Sequence, residues 1–267
     1  MEYQPGPRQA RNRLRWHALI GGGLALSLSL PAFALLKAPE NLNAAGVQRI
    51  GQAGEDDGVF HILPTRTFSF YGQTYSGLTV STNGWISLGD TGNTLGTFNT
   101  LTTLDNNAAG IIVNGDDWVQ TDAGVTPKGY VYYKEYDDAV GVTWRNVPHF
   151  GNFDGEAPRS TFQAILYDNG YIGLSYGNLG GSDGTVVGLT SGNGQHYTTL
   201  YGPAAGTGAF ANDDFSLCFA NQDFVFAYDG GNYVPVTIGS PVPEPAIPAV
   251  LGLGGAMWWC RRRRGGS

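Results

Sequence analysis

Thr161-Phe162-Gln163-Ala164-Ile165-Leu166-Tyr167 runs into Asp168-Asn169-Gly170, and Tyr171-Ile172-Gly173-Leu174-Ser175-Tyr176 follows. The first seven residues are apolar on both alternating faces, the pattern of a central strand covered on two sides. Asn169-Gly170 supplies the positive φ angles of a tight turn, so the chain reverses there. Two strands joined this closely must be antiparallel neighbours.

The same grammar extends in both directions. Leu78–Ser81 and Trp85–Leu88 flank Asn83-Gly84, a second hairpin. Gly129 to Tyr136 is rich in Tyr and Val, as strands are. Val140, Val142 and Trp144 alternate with Gly141, Thr143 and Arg145, which reads as a half-buried strand. Of the 41 glycines, 32 lie in residues 35–245, about twice the usual ~7% frequency. Long helical periodicity is absent; residues 40–50 read as one short helix. Ten to twelve strands are expected from Phe60 to Tyr228, separated by Gly, Asn and Asp. The expected fold is therefore all-β, an antiparallel β-sandwich in a single globular domain over residues 35–228. Segments 89–107 and 201–214 read as long loops, and 229–241 as a linker.

The flanks carry transport signals. Arg8, Arg11, Arg13 and Arg15 precede an apolar stretch from Ala18 to Leu30. Ala32 and Ala34 then provide small residues at the −3 and −1 positions of a secretory cleavage site. Residues 1–34 are expected to be a signal peptide removed after Ala34. At the other end, Val242-Pro243-Glu244-Pro245 is followed by an apolar run from Ala246 to Cys260. Arg261, Arg262, Arg263 and Arg264 close it. Fifteen helical residues span ~22 Å, short of a ~30 Å bilayer core. Arg261 extends the span by snorkelling, and Trp258 and Trp259 suit the interface. The positive-inside rule leaves the four arginines in the cytoplasm as a stop. Residues 242–264 resemble the PEP-CTERM sorting signal. That resemblance implies a transient inner-membrane anchor, processed near Pro243–Pro245 by an exosortase-like membrane enzyme. The destination it implies is the cell surface or extracellular matrix of a Gram-negative-type bacterium.

The terminal signals distort the overall charge of −7. Residues 35–241 hold seven basic and twenty acidic side chains, a net of about −13. Such a domain disfavours nucleic acid and favours solubility or cation binding. Of two cysteines, Cys260 lies in the tail and Cys218 is the only one in the domain, so no internal bridge forms. Ser216-Leu217-Cys218-Phe219 reads as a buried strand.

The order of motifs is also informative. Phe68-Ser69-Phe70-Tyr71-Gly72 comes first, then Leu78-Thr79-Val80-Ser81-Thr82-Asn83-Gly84. Gly110-Ile111-Ile112 precedes Asp116-Asp117-Trp118, and Thr161–Leu166 precedes Asp168-Asn169-Gly170. In this order and spacing, residues 60–190 resemble a nidogen-like (NIDO) extracellular domain. The acidic segment departs from the family pattern: it has no proline, and its aspartates stand before the tryptophan. The resemblance implies adhesion or matrix interaction without an established catalytic site.

Catalytic signatures are few. His61, His149 and His196 show no HxxxH, HxH or HExxH spacing. No serine occupies a GxSxG elbow. Acidic clusters recur in loops at Glu55-Asp56-Asp57-Gly58, Asp116-Asp117, Asp137-Asp138, Asp154-Gly155-Glu156 and Asp213-Asp214. Loop carboxylates are what calcium requires, yet no EF-hand or RTX spacing is present. Asp116 and Asp117 are the metal candidates. Trp118 is read as the exposed tryptophan and the ligand candidate, while Trp144 is read as core and Trp85 as core or rim. No cofactor is expected, calcium being the one ion left open.

The expected function is non-enzymatic: an exported surface or matrix protein that contacts extracellular polymer or another surface protein. A carbohydrate-binding lectin-like module, calcium-dependent or not, is the second reading. A hydrolase of extracellular polysaccharide is the third, and it requires two carboxylates facing one cleft.

Overall fold

Alternation decides the architecture. The computed structural model describes residues 44–89, 108–121, 128–151, 158–180, 185–201, 215 and 219–236. Fifteen strands lie among them: β1 (Val47–Ile50), β2 (Val59–Ile62), β3 (Phe68–Phe70), β4 (Gln73–Tyr75), β5 (Leu78–Ser81), β6 (Trp85–Leu88), β7 (Gly110–Gly115), β8 (Tyr130–Glu135), β9 (Ala139–Pro148), β10 (Arg159–Tyr167), β11 (Ile172–Tyr176), β12 (Val186–Thr190), β13 (Tyr197–Tyr201), β14 (Asp223–Tyr228) and β15 (Tyr233–Val236). They form a seven-stranded sheet in the order β1-β8-β9-β10-β11-β14-β15 and a six-stranded sheet in the order β13-β12-β7-β6-β5-β2. The hairpin β3-β4 stands apart. Every strand pairing is antiparallel.

The core lies between the two sheets. Val131, Val142, Trp144, Phe162, Leu174 and Tyr176 come from the larger sheet. Val80, Ile86, Ile111, Val113, Val187 and Leu189 come from the smaller. Each large side chain removed from water contributes about 1.5–3 kcal/mol. Two polar ties cross the core. Trp144 Nε1 donates to the Ser81 carbonyl at 2.9 Å, and the Tyr176 hydroxyl donates to the Val113 carbonyl at 2.7 Å. Trp144 stacks on Phe162 with ring centroids 5.1 Å apart. The antiparallel sandwich and the core position of Trp144 are as the sequence implies.

Several local expectations change. Phe162 to Leu166 pairs with Tyr176 to Ile172 as the hairpin requires, but only Gly170 of Asn169-Gly170 has positive φ. Both central residues of the β3–β4 turn have it: Tyr71 at 46° and Gly72 at 74°. A tyrosine there is held by burial, by its hydroxyl on the Leu189 carbonyl at 3.2 Å, and by ring contacts with Phe70 and Tyr233. Within the segment read as a short helix, Val47–Ile50 is instead an edge strand, because pairing with β8 outweighs local propensity. The segment read as a linker contains β15, and Tyr233 is buried beside Phe70, so the domain runs at least to Val236. β9 is buried on both faces through Trp144 rather than half-buried. Phe219 is helical, not strand; Cys218 lies outside the described residues. So do residues 1–43, most of the two expected long loops, and the whole tail. Ala32, Ala34, Val242, Pro243, Glu244, Pro245 and Arg261 to Arg264 are among them.

Candidate functional site

The Thr82-Asn83-Gly84 turn between β5 and β6 gathers two acidic loops. Pairing of Val59 with Ser81 brings the loop before β2 alongside the turn. Gly58 N donates to Thr82 Oγ1 at 3.0 Å, and Thr82 Oγ1 donates to the Asp56 carbonyl. Asn83 Nδ2 donates to Asp57 Oδ1 at 2.8 Å. On the other side, Asp116 N donates to the Asn83 carbonyl at 3.3 Å, and Trp118 N to Asn83 Oδ1 at 2.8 Å. Gly84 permits the close fit: a Cβ there would lie 2.0 Å from the Asn114 carbonyl oxygen.

The result is a carboxylate cluster. One oxygen each from Asp56, Asp57 and Asp117 lies within 4.8 Å of the others. Asp56 Oδ1 is buried and has no hydrogen-bond partner among the described residues. Burial, then the charges of Asp117 and Asp57, then the hydrogen bond shared with Asp117, push the Asp56 carboxyl up to about 6. Asp117 is also raised, chiefly by burial, with His149 opposing and Asp57 and Asp116 adding. Like charges held this close are stabilised by a proton or by a cation.

The sequence candidates divide here. Asp117 joins the cluster. Asp116 turns to His149, with Oδ1 3.3 Å from Nε2, and its Oδ1 also accepts from Asp117 N at 2.9 Å. Trp118 is not the exposed ligand platform expected. It is fully buried, its Nε1 donates to the Asn114 carbonyl at 2.8 Å, and its ring packs on Phe162 and His149. The bridge to His149 folds the segment inward, so the tryptophan anchors the site rather than displaying it. Trp85 is likewise buried. Asp56, Asp57 and His149 were legible only as separate features, because nothing in their spacing reports the contact. The one local clue is the Asn-Gly turn, whose asparagine side chain reaches both loops.

The other histidines do not join. His61 on β2 has its Nδ1 2.9 Å from Thr79 Oγ1 on β5, and His196 stands in the turn before β13. Asp137 and Asp138 form the β8–β9 turn, where the Asp137 carbonyl accepts from Arg66 at 2.9 Å. Asp154, Glu156, Asp213 and Asp214 lie outside the described residues.

Two antiparallel sheets packed face to face, with a carboxylate cluster on the loops at one turn, define a β-sandwich domain. Residues 38–227 match the family described as NIDO related, and the chain belongs to that family. No curated protein and no solved structure matches it.

Proposed function

We propose that this chain is an exported bacterial surface or matrix protein that works by binding, not catalysis. The observation that carries the reading is the NIDO-related match over residues 38–227, an extracellular type of domain. Its flanks agree: a signal-peptide pattern ending at Ala34 precedes it, and Val242-Pro243-Glu244-Pro245 with the apolar run and Arg261–Arg264 follows. In this reading the tail holds the chain at the inner membrane until an exosortase-like enzyme cuts near Pro243–Pro245. The freed domain then engages extracellular polymer or a surface protein. Deleting residues 242–267 tests it: surface display in the native host should fall while the domain stays folded. Equal display of both forms sinks the sorting claim.

A calcium-dependent carbohydrate-binding module is the second reading, favoured by the Asp56, Asp57 and Asp117 cluster with its unpartnered buried oxygen. These three residues would hold the ion, which prefers six to eight oxygens from carboxylates, carbonyls and water. Calorimetric titration with calcium, on the full chain and on Asp117→Asn, tests it. Heat of binding that the substitution removes supports the reading; identical traces count against it.

A further inference from the structure

Register places a mixed polar row across the outer face of the seven-stranded sheet. Arg49 stands opposite Tyr132, Tyr132 opposite Thr143, Thr143 opposite Gln163, Gln163 opposite Ser175, and Ser175 opposite Asp223. Arg145 stands opposite Tyr130 on the same face, and Lys134 opposite Gly141. These residues alternate along their strands with the core residues Ile50, Val131, Tyr133, Val142, Trp144, Phe162 and Ala164, so they point away from the smaller sheet.

Three of the seven basic residues of the exported segment thus share one face of a domain whose net charge is about −13. Their settings are built. The Arg49 guanidinium lies 4.5 Å from the Tyr130 ring centroid, and Lys134 Nζ lies 4.8 Å from that of Tyr136. Arg145 and Arg49 both act on the Tyr132 hydroxyl, opposing the effect of its burial. Among the described residues no salt bridge joins Arg49 or Lys134 to a carboxylate, whereas Arg66 is paired with Asp168 at 2.7 Å. Arg49 is exposed and Tyr132, Lys134 and Arg145 are half-buried, whereas Thr143 and Gln163 further along the row are buried, so the accessible part of the face is its β1–β8–β9 edge.

Resting on the binding reading above, we infer that strands β1, β8 and β9 present this face to a carboxylated polysaccharide. Guanidinium forks match carboxylates, and aromatic contact fixes their direction in advance. Arg49 and Arg145 sit two strands apart and two residues out of register, about 12 Å between their backbones at the usual strand spacing and rise. Between them the half-buried Tyr132 offers a ring edge and a hydroxyl to a sugar. Charge density selects the polymer. Duplex DNA carries a charge every ~1.7 Å, which the acidic remainder of the domain repels. A chain with one carboxylate per sugar spaces its charges to meet separate cations.

Affinity electrophoresis of the full chain in gels containing polygalacturonate, neutral dextran or duplex DNA tests the assignment. Polygalacturonate alone should retard the protein, and added salt should weaken the effect. The double substitution Arg49→Ala, Arg145→Ala should weaken retardation about tenfold or more, at ~1.5–3 kcal/mol per charged hydrogen bond. Arg66→Gln, which changes a cation already paired with carboxylates, should leave it unchanged. Circular dichroism verifies that each variant is folded; should the double variant unfold, the exposed single change Arg49→Ala carries the test. Equal retardation by dextran or DNA, or by the folded variants, overturns the inference. If it fails while surface display still depends on the tail, the export reading stands and only this face is wrong.

Discussion

Asn83 donates from Nδ2 to Asp57 Oδ1 at 2.8 Å while its own Oδ1 accepts from Trp118 N at 2.8 Å. One side chain in a hairpin turn therefore holds two acidic loops in a single cluster. The tie joins segments separated by 26 and 35 residues. Asn83→Ala leaves the buried Trp118 amide without this acceptor, at a cost of about 1–3 kcal/mol. Urea denaturation should show a lower midpoint with an unchanged slope. A midpoint equal to that of the parent would mean the loops are held by other contacts.

Gly84 is expected to tolerate no side chain. Its φ is +80°, and a Cβ would lie 2.0 Å from the Asn114 carbonyl oxygen. Gly84→Ala must move β7 away from the turn, costing at least about 1–3 kcal/mol of backbone strain. The drop in thermal midpoint should exceed that of Gly46→Ala, where a Cβ meets nothing within 4 Å. Both glycines have positive φ, so the comparison isolates the clash from the backbone preference. Equal drops would show that the preference alone matters.

The Asp56 carboxyl sets a pH dependence. Its folded value is about 6 against an ordinary 3.8, so the folded chain holds more protons between those values. Stability carries no penalty from this group below about 4, falls as pH climbs towards 6, and stays lowered above it. Asp56→Asn should therefore raise the metal-free urea midpoint at pH 7.5 and change it little at pH 4. The reverse pattern would show that the carboxylate is stabilised by the fold. If the cluster takes calcium, added calcium should stabilise the parent at pH 7.5 more than at pH 4.5.

Tyr176 couples the two sheets from a fully buried position, and burial holds its hydroxyl well above the ordinary value, so it stays a donor throughout the working range. Tyr176→Phe keeps the ring contacts with Phe215, Phe219 and Phe224 but leaves the Val113 carbonyl without that donor. About 1–3 kcal/mol should be lost. Chemical denaturation measures it; a loss below about 0.5 kcal/mol would mean that another donor replaces the hydroxyl.

Strand identity was readable where local chemistry is strong. The hairpins around Gly84 and Gly170 and the Tyr-rich β8 follow from alternation and turn residues alone. Edges were harder. Val47–Ile50 and Tyr233–Val236 are short and flanked by polar or turn residues, and only pairing with β8 and β14 makes them strands. The site was half visible. Asp117 stood out beside its tryptophan, but Asp56 and Asp57 belong to the cluster through the Val59–Ser81 register, a long-range fact. Trp118 reads as exposed for the same reason. Its acidic neighbours point to a surface loop, while the bridge to His149 and contact with Phe162 bury its ring.

Intact mass spectrometry of the protein from its native host tests export and processing most directly. The account predicts a mature chain that begins at Leu35, ends near Pro243–Pro245 and weighs well below 28.4 kDa, with any attached group read as an added mass. A 28.4 kDa species retaining both Met1 and Arg261–Arg264 would contradict it.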